Sequence, residues 1–578
     1  DGQAPPEMPG GNGGPGGGAG QTPPDKPDGA GGPGGMSEGD MANASAQVNT
    51  EGALTVSSGD VTVAEGSEAL ESTVTKDGET VQIADAEIES GDYDSTGISV
   101  SDAEVAITGA GITLGVDEDI AGTEAAGSGI YNDSGSVSVS DSVIDVSGAG
   151  RYSVAAVGDA ELVVNDSVIS AGGDRGADGH TAAVEDPFSN EGLLISGTSR
   201  ASFSVGQSHT FYYNSLVTAD GWAALSTDSA SGSGLEFAAY NTEALALNGG
   251  YGLYADTNCR DYLYGSTIVS AEAGIIISNN GSVTIGSAGD AEDAVTADGR
   301  EVLAELAGEK ASGDKETTVT AGRNAVQVHS PDMMGEGNRD YSAQLAVSHA
   351  TLATDGKIGE DGYEYTSEVN GQTYTVRAET DYEALYGEAV GAYIDYVDGA
   401  VILVKSTSAD IALEDVTVTS SDGTALLTTL NSDSMSRYLK EDVGNGVNVS
   451  IRDSEISGSI VHDDYQRDLH ISAEGTTITG GVTYSDADAW NSRWEAYSGD
   501  DRCVWYDLDP ETYITETHET VLELSGGSVW NVTEESQLTT LSVSPDSTVN
   551  GTIRAASEET LEDGTVVYTD AVVVTGTA

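Results

Sequence analysis

Asp141-Ser-Val-Ile-Asp-Val-Ser-Gly148 is one copy of a phrase that recurs along the chain and decides its fold. In each copy an Asp or Asn precedes a small residue, then alternating β-branched residues, then Ser, Thr or Gly. Further copies begin at Asp102 and Asn165, looser copies begin at Asp85, Asn214, Asp415 and Asp453, and the related segment Gly475-Thr-Thr-Ile-Thr-Gly480 follows. Outside the gap from 214 to 415, the steps cluster near one or two units of about 20 to 25 residues, which is a repeat period.

Alternation of period two dominates the stretches between these copies. Ser134-Gly-Ser-Val-Ser-Val-Ser140 is an example, and helical periodicity is nearly absent. Short strands that are separated by turn residues, with no helices between them, favour a β-helix, in which each coil pairs with its neighbours at about 4.8 Å. The sequence therefore predicts an all-β fold consisting of one parallel β-helix.

The domain organisation follows from composition. The first 36 residues contain 14 Gly and 8 Pro, so we expect residues 1–45 to be a disordered linker or tether. Residues 46–578 are predicted to form the β-helix. Polar or aromatic stretches near 171–191, 287–320, 331–342, 354–390 and 484–517 interrupt the period and are interpreted as loop insertions, where binding sites usually lie.

Charge restricts the partners of this chain. It contains 21 Lys plus Arg and 97 Asp plus Glu, a net charge of −76. Such a surface repels other anions, which excludes nucleic acid and disfavours anionic membranes. Calcium is a plausible cofactor, although no cofactor is fixed by the sequence. We expect a monomer whose partner is a glycan or a host or cell-surface protein.

Location is inferred from what the sequence lacks. No run reaches 18 apolar residues, so no transmembrane segment is expected. The two cysteines, Cys259 and Cys503, form no disulfide framework. The Gly/Pro-rich start is consistent with a tether to a surface or with an untethered secretion leader. These features indicate a secreted or cell-surface protein.

The C-terminal segment carries a family resemblance. Val521-Leu-Glu-Leu-Ser-Gly-Gly-Ser-Val-Trp530-Asn-Val-Thr looks like the terminal rungs of autotransporter-type adhesin passengers. The chain from about 50 to 578 resembles secreted bacterial right-handed parallel β-helix proteins of the pectin-lyase-like superfamily, which implies right-handed coils. Members of this superfamily include lyases, glycosidases, esterases and non-catalytic adhesins, so the resemblance does not select a function.

The catalytic motifs of those families are mostly missing. Polygalacturonase-type enzymes carry an Asp-Asp pair followed by Gly-His-Gly and Arg-x-Lys. Asp463-Asp464 is such a pair, but neither motif follows it, and the pair reads equally well as a charged turn. Pectate-lyase-type enzymes need acidic calcium ligands and a cation beside the substrate, and cations are scarce here.

The best constellation is in the middle of the chain. The phrases Gly221–Asp228 and Gly250–Asp256 both end in Asp, 28 residues or about one coil apart, so Asp228 is predicted to stack on Asp256. Paired carboxylates serve glycoside hydrolysis or calcium binding; alternatively, both residues satisfy their own turns. Together with Asp228 and Asp256, the positively charged Arg175 is a candidate catalytic residue if the protein is an enzyme. The remaining ligand-binding candidates are Asp174, Asp178, His180, Trp222, Tyr251, Tyr254 and Arg260.

A second aromatic cluster lies in the insertion near 484–517. Trp490 and Trp494 are close to Tyr497 and Tyr506, and flat rings of this kind suit sugar rings and protein partners. The alternative is that this loop packs on itself against the solenoid.

Two functional hypotheses follow. The first is a non-enzymatic, adhesin-like protein that presents a long face to a glycan or a host or cell-surface partner. The second is a carbohydrate-active enzyme, a polysaccharide lyase or glycoside hydrolase, that acts on an extracellular polysaccharide at Asp228 and Asp256. The missing catalytic motifs favour the first.

Overall fold

The chain folds as a parallel β-helix with three strands in each coil. The computed structural model describes residues 49, 51–64, 71–115, 126–148, 150–172, 199–228, 234–292, 315–329, 342–378, 399–405, 407–429, 446–464, 467–484 and 518–576. Within these ranges 40 strands join one hydrogen-bonded network in which most pairings are parallel. The predicted all-β solenoid is confirmed. The stalk at 1–45 and most of the predicted insertions lie outside the described residues.

Each coil passes through three sheets in the order 1, 2 and 3. Sheet 1 contains the strands Gly52–Ser57, Thr96–Ser101, Ser128–Asp133, Tyr152–Val157, Arg200–Val205, Ala223–Asp228, Tyr251–Ala255, Ala273–Ser278, Asn324–His329, Ile402–Lys405 and Val482–Tyr484. The last residues of Ser408–Thr429 and Glu455–His462 and the first of Ser536–Val543 also belong to it.

Sheet 2 follows sheet 1 in every coil. Its strands are Glu104–Thr108, Ser136–Ser140, Glu161–Asn165, His209–Tyr213, Glu236–Tyr240, Arg260–Tyr264, Ser282–Gly286, Val447–Arg452, Leu469–Glu474 and Thr520–Ser525. The first parts of Thr80–Ser90, Ser342–Thr354 and Ser408–Thr429, and the last part of Ser536–Val543, complete it.

Sheet 3 closes the coil. Its strands are Gly111–Leu114, Val143–Ser147, Val168–Gly172, Leu216–Ala219, Glu243–Ala246, Thr267–Ser270, Thr317–Ala321, Thr477–Thr479, Val529–Asn531 and Thr548–Arg554. Later parts of Thr80–Ser90, Ser342–Thr354 and Ser408–Thr429, and the start of Glu455–His462, contribute the other rungs. A short 3-10 helix, Asp290–Glu292, follows one strand of sheet 2.

The repeated phrase marks the turn from sheet 2 to sheet 3. Its Asp or Asn has a left-handed backbone with φ between 46° and 52° at six copies: Asp85, Asp141, Asp166, Asn214, Asp415 and Asp453. Asp and Asn tolerate this conformation better than other non-glycine residues. Asp102 is also left-handed, with φ of 46°, but lies in the turn from sheet 1 to sheet 2. The phrase therefore positions the corner of each coil.

Serine residues that follow the corners of consecutive coils form a ladder of hydroxyl groups. The backbone N–H of Ser142 donates to Ser167 Oγ at 3.1 Å, and that of Ser167 donates to Ser215 Oγ at 3.2 Å. Each of these three hydroxyls in turn donates to the carbonyl two residues before it. The ladder satisfies buried backbone donors at a corner where the strands leave the sheets.

The corners fix the length of each coil. Ser142 and Ser167 occupy equivalent positions 25 residues apart, and Ser454 and Thr476 are 22 apart. Branched apolar side chains that point inward, such as Ile144, fill the space between the three sheets in one continuous core. Because successive side chains of a strand point to opposite faces, one side chain in two points into this core.

Antiparallel strands close both described ends of the solenoid. Asp60–Val63 pairs with Gly52–Ser57 at the first coil, and Glu71–Asp77 pairs with Thr80–Ser90. At the other end Val566–Gly576 runs antiparallel to the last coil and to Ser557–Thr560. Such caps cover strand edges that would otherwise pair with other chains.

Part of the predicted insertion at 354–390 is a β-hairpin that folds back over sheet 3. Its strands are Glu364–Val369 and Gln372–Arg377. Val369 packs against the outward side chains of sheet 3. At the hairpin tip, the Asn370 amide donates to Asp141 Oδ1 at 2.8 Å and to the Asp166 carbonyl at 2.6 Å. The insertion therefore forms hydrogen bonds with coils that precede it by about 200 residues in the sequence.

Candidate functional site

The outward face of sheet 1 is covered along its middle coils. In the strands Ala223–Asp228, Ala273–Ser278 and Asn324–His329 every residue is buried, whichever side of the sheet it faces. A solenoid sheet with a free outer surface alternates between buried and exposed residues. The outer layer of sheet 1 is therefore part of the molecule's interior.

The two predicted carboxylates are neighbours on this outward face. Thr227 pairs in register with Ala255, and the N–H of Asp256 donates to the Thr227 carbonyl at 3.0 Å. Asp228 and Asp256 therefore occupy consecutive rungs of one column, at the spacing expected from 28 residues. Both are almost fully buried, at 4% and 5% exposure.

Asp228 is held by an arginine that the sequence interpretation did not include. Arg200 Nη2 lies 2.9 Å from Asp228 Oδ2, and Ser226 Oγ donates to Asp228 Oδ1 at 2.6 Å. The Arg200 guanidinium also lies over the Trp222 ring, 4.6 Å from its centroid. Asp228 is thus an ion-paired, hydrogen-bonded group of a buried network.

Asp256 has a different environment. Burial, with the nearby Asp228 charge second, raises the pKa of Asp256 to about 7, although hydrogen bonds from Thr257 and Asn279 oppose this rise. Its Oδ1 accepts from the Thr257 N–H at 2.6 Å and from Thr257 Oγ1 at 3.0 Å. The two stacked carboxylates therefore have different surroundings: Asp228 is paired with an arginine, whereas the pKa of Asp256 is raised.

The predicted aromatic residues join this network as a buried cluster. Trp222 contacts Tyr251 and Tyr254 edge-on, with ring centroids 6.4 and 5.2 Å apart. None of the three rings is more than 8% exposed. The structure brings them together beside Arg200, but it presents no open aromatic platform there.

The other predicted residues are placed elsewhere. Arg260 lies on the outward face of sheet 2, in register with Glu236 and Ser282, and is therefore separated from the Asp228 column. Of the Asp463-Asp464 pair, Asp464 is ion-paired with Arg467 at 3.0 Å, and both aspartates are buried. The candidates outside the described residues are Asp174, Arg175, Asp178, His180, Trp490 and Trp494.

The described part of the chain shows no ready-made metal centre. No three His, Cys, Asp or Glu side chains in those ranges converge as ligands. Calcium at the predicted position would rely on Asp228 and Asp256, and Arg200 already neutralises the first of these carboxylates. No helix in the same ranges is long and apolar enough to cross a bilayer.

An open groove lies on the outward face of sheet 2 in the second half of the solenoid. Its volume is about 510 Å³ and it crosses six successive coils. Along one side a polar row runs in register from coil to coil: Gln344, Asp410, Asn448 and His470. The floor consists of small exposed residues: Ala346, Ala412, Ser450 and Ser472.

Hydrogen bonds hold the polar row in place. Asp410 Oδ2 accepts from Gln344 Nε2 at 3.0 Å, and Asp410 Oδ1 accepts from Asn448 Nδ2 at 3.0 Å. The bond from Gln344 is the main cause that lowers the pKa of Asp410 below its ordinary value. The row is therefore pre-ordered and keeps its carboxylate ionised.

An ion-pair row borders the floor on its other side. Arg452 lies between Glu414 and Glu474, at 3.8 and 3.5 Å from their carboxylates. All three side chains are exposed. The groove thus has a neutral floor between two polar rows.

The comparisons with known proteins assign no family. No protein-family model matches this chain, and no curated protein is similar to it at a significant level. Any function must therefore be argued from the geometry of the molecule.

Proposed function

We propose that this protein is a non-enzymatic binding protein that holds a neutral, hydroxyl-rich polymer, a glycan, in the groove of sheet 2. The observation that carries this proposal is the in-register row Gln344–Asp410–Asn448, which lines an open groove across successive coils. Amide and carboxylate groups are suited to recognising hydroxyls, because they accept and donate in fixed directions. A repeating scaffold with about 4.8 Å between coils suits an extended ligand better than a compact one.

Charge and composition narrow the ligand class. A chain of net charge −76 repels polyanions, so an uncharged glycan is favoured over an acidic glycan as the ligand. The floor residues are Ala and Ser, whereas protein–protein hot spots are rich in Trp, Tyr and Arg. This composition supports a glycan over a protein partner at this groove.

An extracellular location is part of the proposal. High negative charge and the Gly/Pro-rich composition of residues 1–45 support a secreted or surface-attached protein. In that setting a long, rigid solenoid displays its groove to cell-surface or matrix polysaccharides.

Filling the groove tests this proposal. We expect wild-type protein to bind neutral glycans on an array, and Ala412→Tyr to lose at least tenfold in affinity because the ring occupies the floor. Asn448→Ala is expected to lose less affinity for the glycan, because it removes only one hydrogen-bonding side chain. Thr417→Ala, exposed on sheet 3, is the matched control. Unchanged binding by Ala412→Tyr, or no glycan bound at all, would sink the proposal.

A second candidate function rests on the stacked carboxylates. Arg200 forms an ion pair with Asp228, whereas burial raises the pKa of Asp256 to about 7. Two carboxyl groups whose environments separate their ionisation are typical of glycosidase acid–base pairs. Mass spectrometry of polysaccharides incubated with the protein is the test. Fragment release that disappears in Asp228→Asn supports an enzyme, and no release from any polysaccharide removes this candidate.

A further inference from the structure

A lysine and an asparagine from different coils meet at the corner between sheets 2 and 3. Lys315 Nζ donates to Asn241 Oδ1 at 2.5 Å, although the two residues are 74 positions apart in the sequence. Asn241 is itself a corner residue, with a left-handed backbone at φ of 45°. The corner of the next coil is Gly265, which brings no side chain into this contact. The pair therefore joins two coils that are separated by a third.

The lysine nitrogen lies close to the amide carbon of Asn241. Because a C=O bond is about 1.23 Å long, Nζ and Cγ are at most about 3.7 Å apart. Reacting atoms in a near-attack arrangement are about 3 to 3.5 Å apart. The amide is also held in its orientation, since Asn241 Nδ2 donates to Asn214 Oδ1 at 2.8 Å. The carbonyl side of the amide therefore faces the lysine, and its nitrogen is bound on the other side.

The surroundings favour the uncharged form of this lysine. Burial lowers the pKa of Lys315 below its ordinary value, although the nearby Glu243 carboxylate opposes this shift. An uncharged amine has the lone pair that a nucleophile needs, and desolvation is one of the ways in which proteins activate lysine. Lys315 thus combines the position and the environment of a nucleophile.

A carboxylate that can transfer protons lies beside the pair. Glu243 follows Asn241 by two residues, at the start of the strand Glu243–Ala246 on sheet 3. Its Oε2 is buried and makes no hydrogen bond to any residue that the structure describes. Tyr365 of the hairpin over sheet 3 interacts with the same carboxylate. A carboxylate in this position can accept a proton from the amine and return it to a leaving nitrogen.

We propose that Lys315 and Asn241 form an isopeptide bond, a covalent cross-link that the protein makes by itself, and that Glu243 carries the proton. The Nζ lone pair attacks Cγ of Asn241, and Glu243 accepts one proton from Nζ. The Cγ–Nδ2 bond then breaks, and Nδ2 takes the proton from Glu243 and leaves as ammonia. The product is an amide between Cγ and Nζ, and no oxidant, metal or further reactant is consumed.

Mass spectrometry of the full chain is the test. The loss of ammonia lowers the mass by about 17 Da relative to the mass calculated from the sequence. After proteolytic digestion we expect a branched peptide in which the segment around Asn241 is joined to the segment around Lys315. Cyclisation at an Asn–Gly pair also releases ammonia, so the branched peptide identifies the bond and the mass alone does not.

Two variants assign the roles of the side chains. Lys315→Arg keeps the positive charge but removes the amine, so the branched peptide should be absent. Glu243→Gln keeps the size of the side chain and should slow formation of the bond at least tenfold, measured as the cross-linked fraction over time after synthesis. Lys357→Arg, at an exposed lysine, is the matched control and should form the bond as wild type does.

The wild-type result decides the assignment even if a variant fails to fold. Separate, unmodified peptides for Asn241 and Lys315, with no branched peptide, would overturn it. A branched peptide that persists in Lys315→Arg would also overturn it, because the nitrogen would then come from another residue. An unchanged rate in folded Glu243→Gln would overturn the proton-transfer role of Glu243.

Discussion

The outward face of sheet 1 in the middle coils differs from the outward face of sheet 2 in the later coils. On sheet 1 the strand Ala273–Ser278 is buried at every residue. On sheet 2 the strand Leu469–Glu474 alternates strictly between buried and exposed. Sheet 1 places ion pairs, aromatic rings and unpaired donors in a covered layer, whereas sheet 2 presents Ala, Ser and amide groups to solvent.

The difference shows that one scaffold supports two kinds of polar surface. Charged groups on sheet 1 interact at low dielectric, where each pairing matters, while those on sheet 2 are screened by water. Equivalent substitutions on the two faces should therefore change the free energy of unfolding by different amounts.

The largest effect is expected from removing an arginine. Arg200→Met leaves Asp228 buried and without its ion-pair partner, which should lower the free energy of unfolding by about 3 to 5 kcal/mol. Arg452→Met, whose carboxylate partners are exposed, should change it by less than about 1 kcal/mol. Denaturant unfolding followed by tryptophan fluorescence measures both variants. Equal shifts would contradict the contrast between the faces.

Asp256 on sheet 1 and Asp410 on sheet 2 should contribute to the free energy of unfolding with opposite dependence on pH. The pKa of Asp256 is raised to about 7 in the folded chain, while an unfolded aspartate titrates near 3.8. The stabilisation that Asp256 contributes through its raised pKa is therefore fully present below pH 4 and is lost as the pH rises toward 7. At about 1.4 kcal/mol per unit, the loss amounts to at most about 4 kcal/mol.

Asp256→Asn is the control that isolates this titration. The stability difference between wild type and variant should fall between pH 4 and 7 and stay constant above. Asp410 on sheet 2 has a lowered pKa, so its stabilisation is present above about pH 4 and is lost as the pH falls further. Unfolding curves of Asp410→Asn below about pH 4 should show the reverse slope, with no change between pH 4 and 7. A flat difference for Asp256→Asn would refute the raised pKa.

Two adjacent residues on one strand allow the packing of the core to be compared with the packing of the outer layer of sheet 1. Ile275 points into the core and Ile276 into the outer layer of sheet 1, and both are fully buried. Replacing either by Ala should cost about 3 kcal/mol. On sheet 2, Ile471→Ala should cost about as much, but Ser472→Ala, at an exposed position, should change stability by less than about 0.5 kcal/mol. A negligible effect of Ile276→Ala would show that the outer layer is not packed.

The sequence was sufficient for the architecture because the fold repeats a local rule. Left-handed Asp or Asn at the corner, a hydroxyl after it and alternating branched residues are all short-range features. Stacking follows once the corners align, which is why the one-coil spacing of Asp228 and Asp256 was foreseen. The hairpin over sheet 3 was not foreseen, because its contacts join residues about 200 positions apart.

The groove was missed although its signal was present. Asp410 and Asn448 each stand five residues before a left-handed corner, Asp415 and Asp453. Aligning the strands by their corners would have revealed the polar row. Arg200 gave no comparable signal, because its partner Asp228 is identified only when consecutive coils are superposed and the outer layer is known to be buried.

The smallest effect is expected at a corner on the exposed side, where the backbone matters more than the side chain. Asp453 has φ of 48°, a conformation that an alanine adopts at a cost of about 1 to 2 kcal/mol and a glycine adopts freely. We therefore expect Asp453→Ala to be about 1 kcal/mol less stable than Asp453→Gly by denaturant unfolding. The lost carboxylate is common to both variants, so their difference isolates the backbone. Equal stabilities would mean that the corner does not require the left-handed conformation.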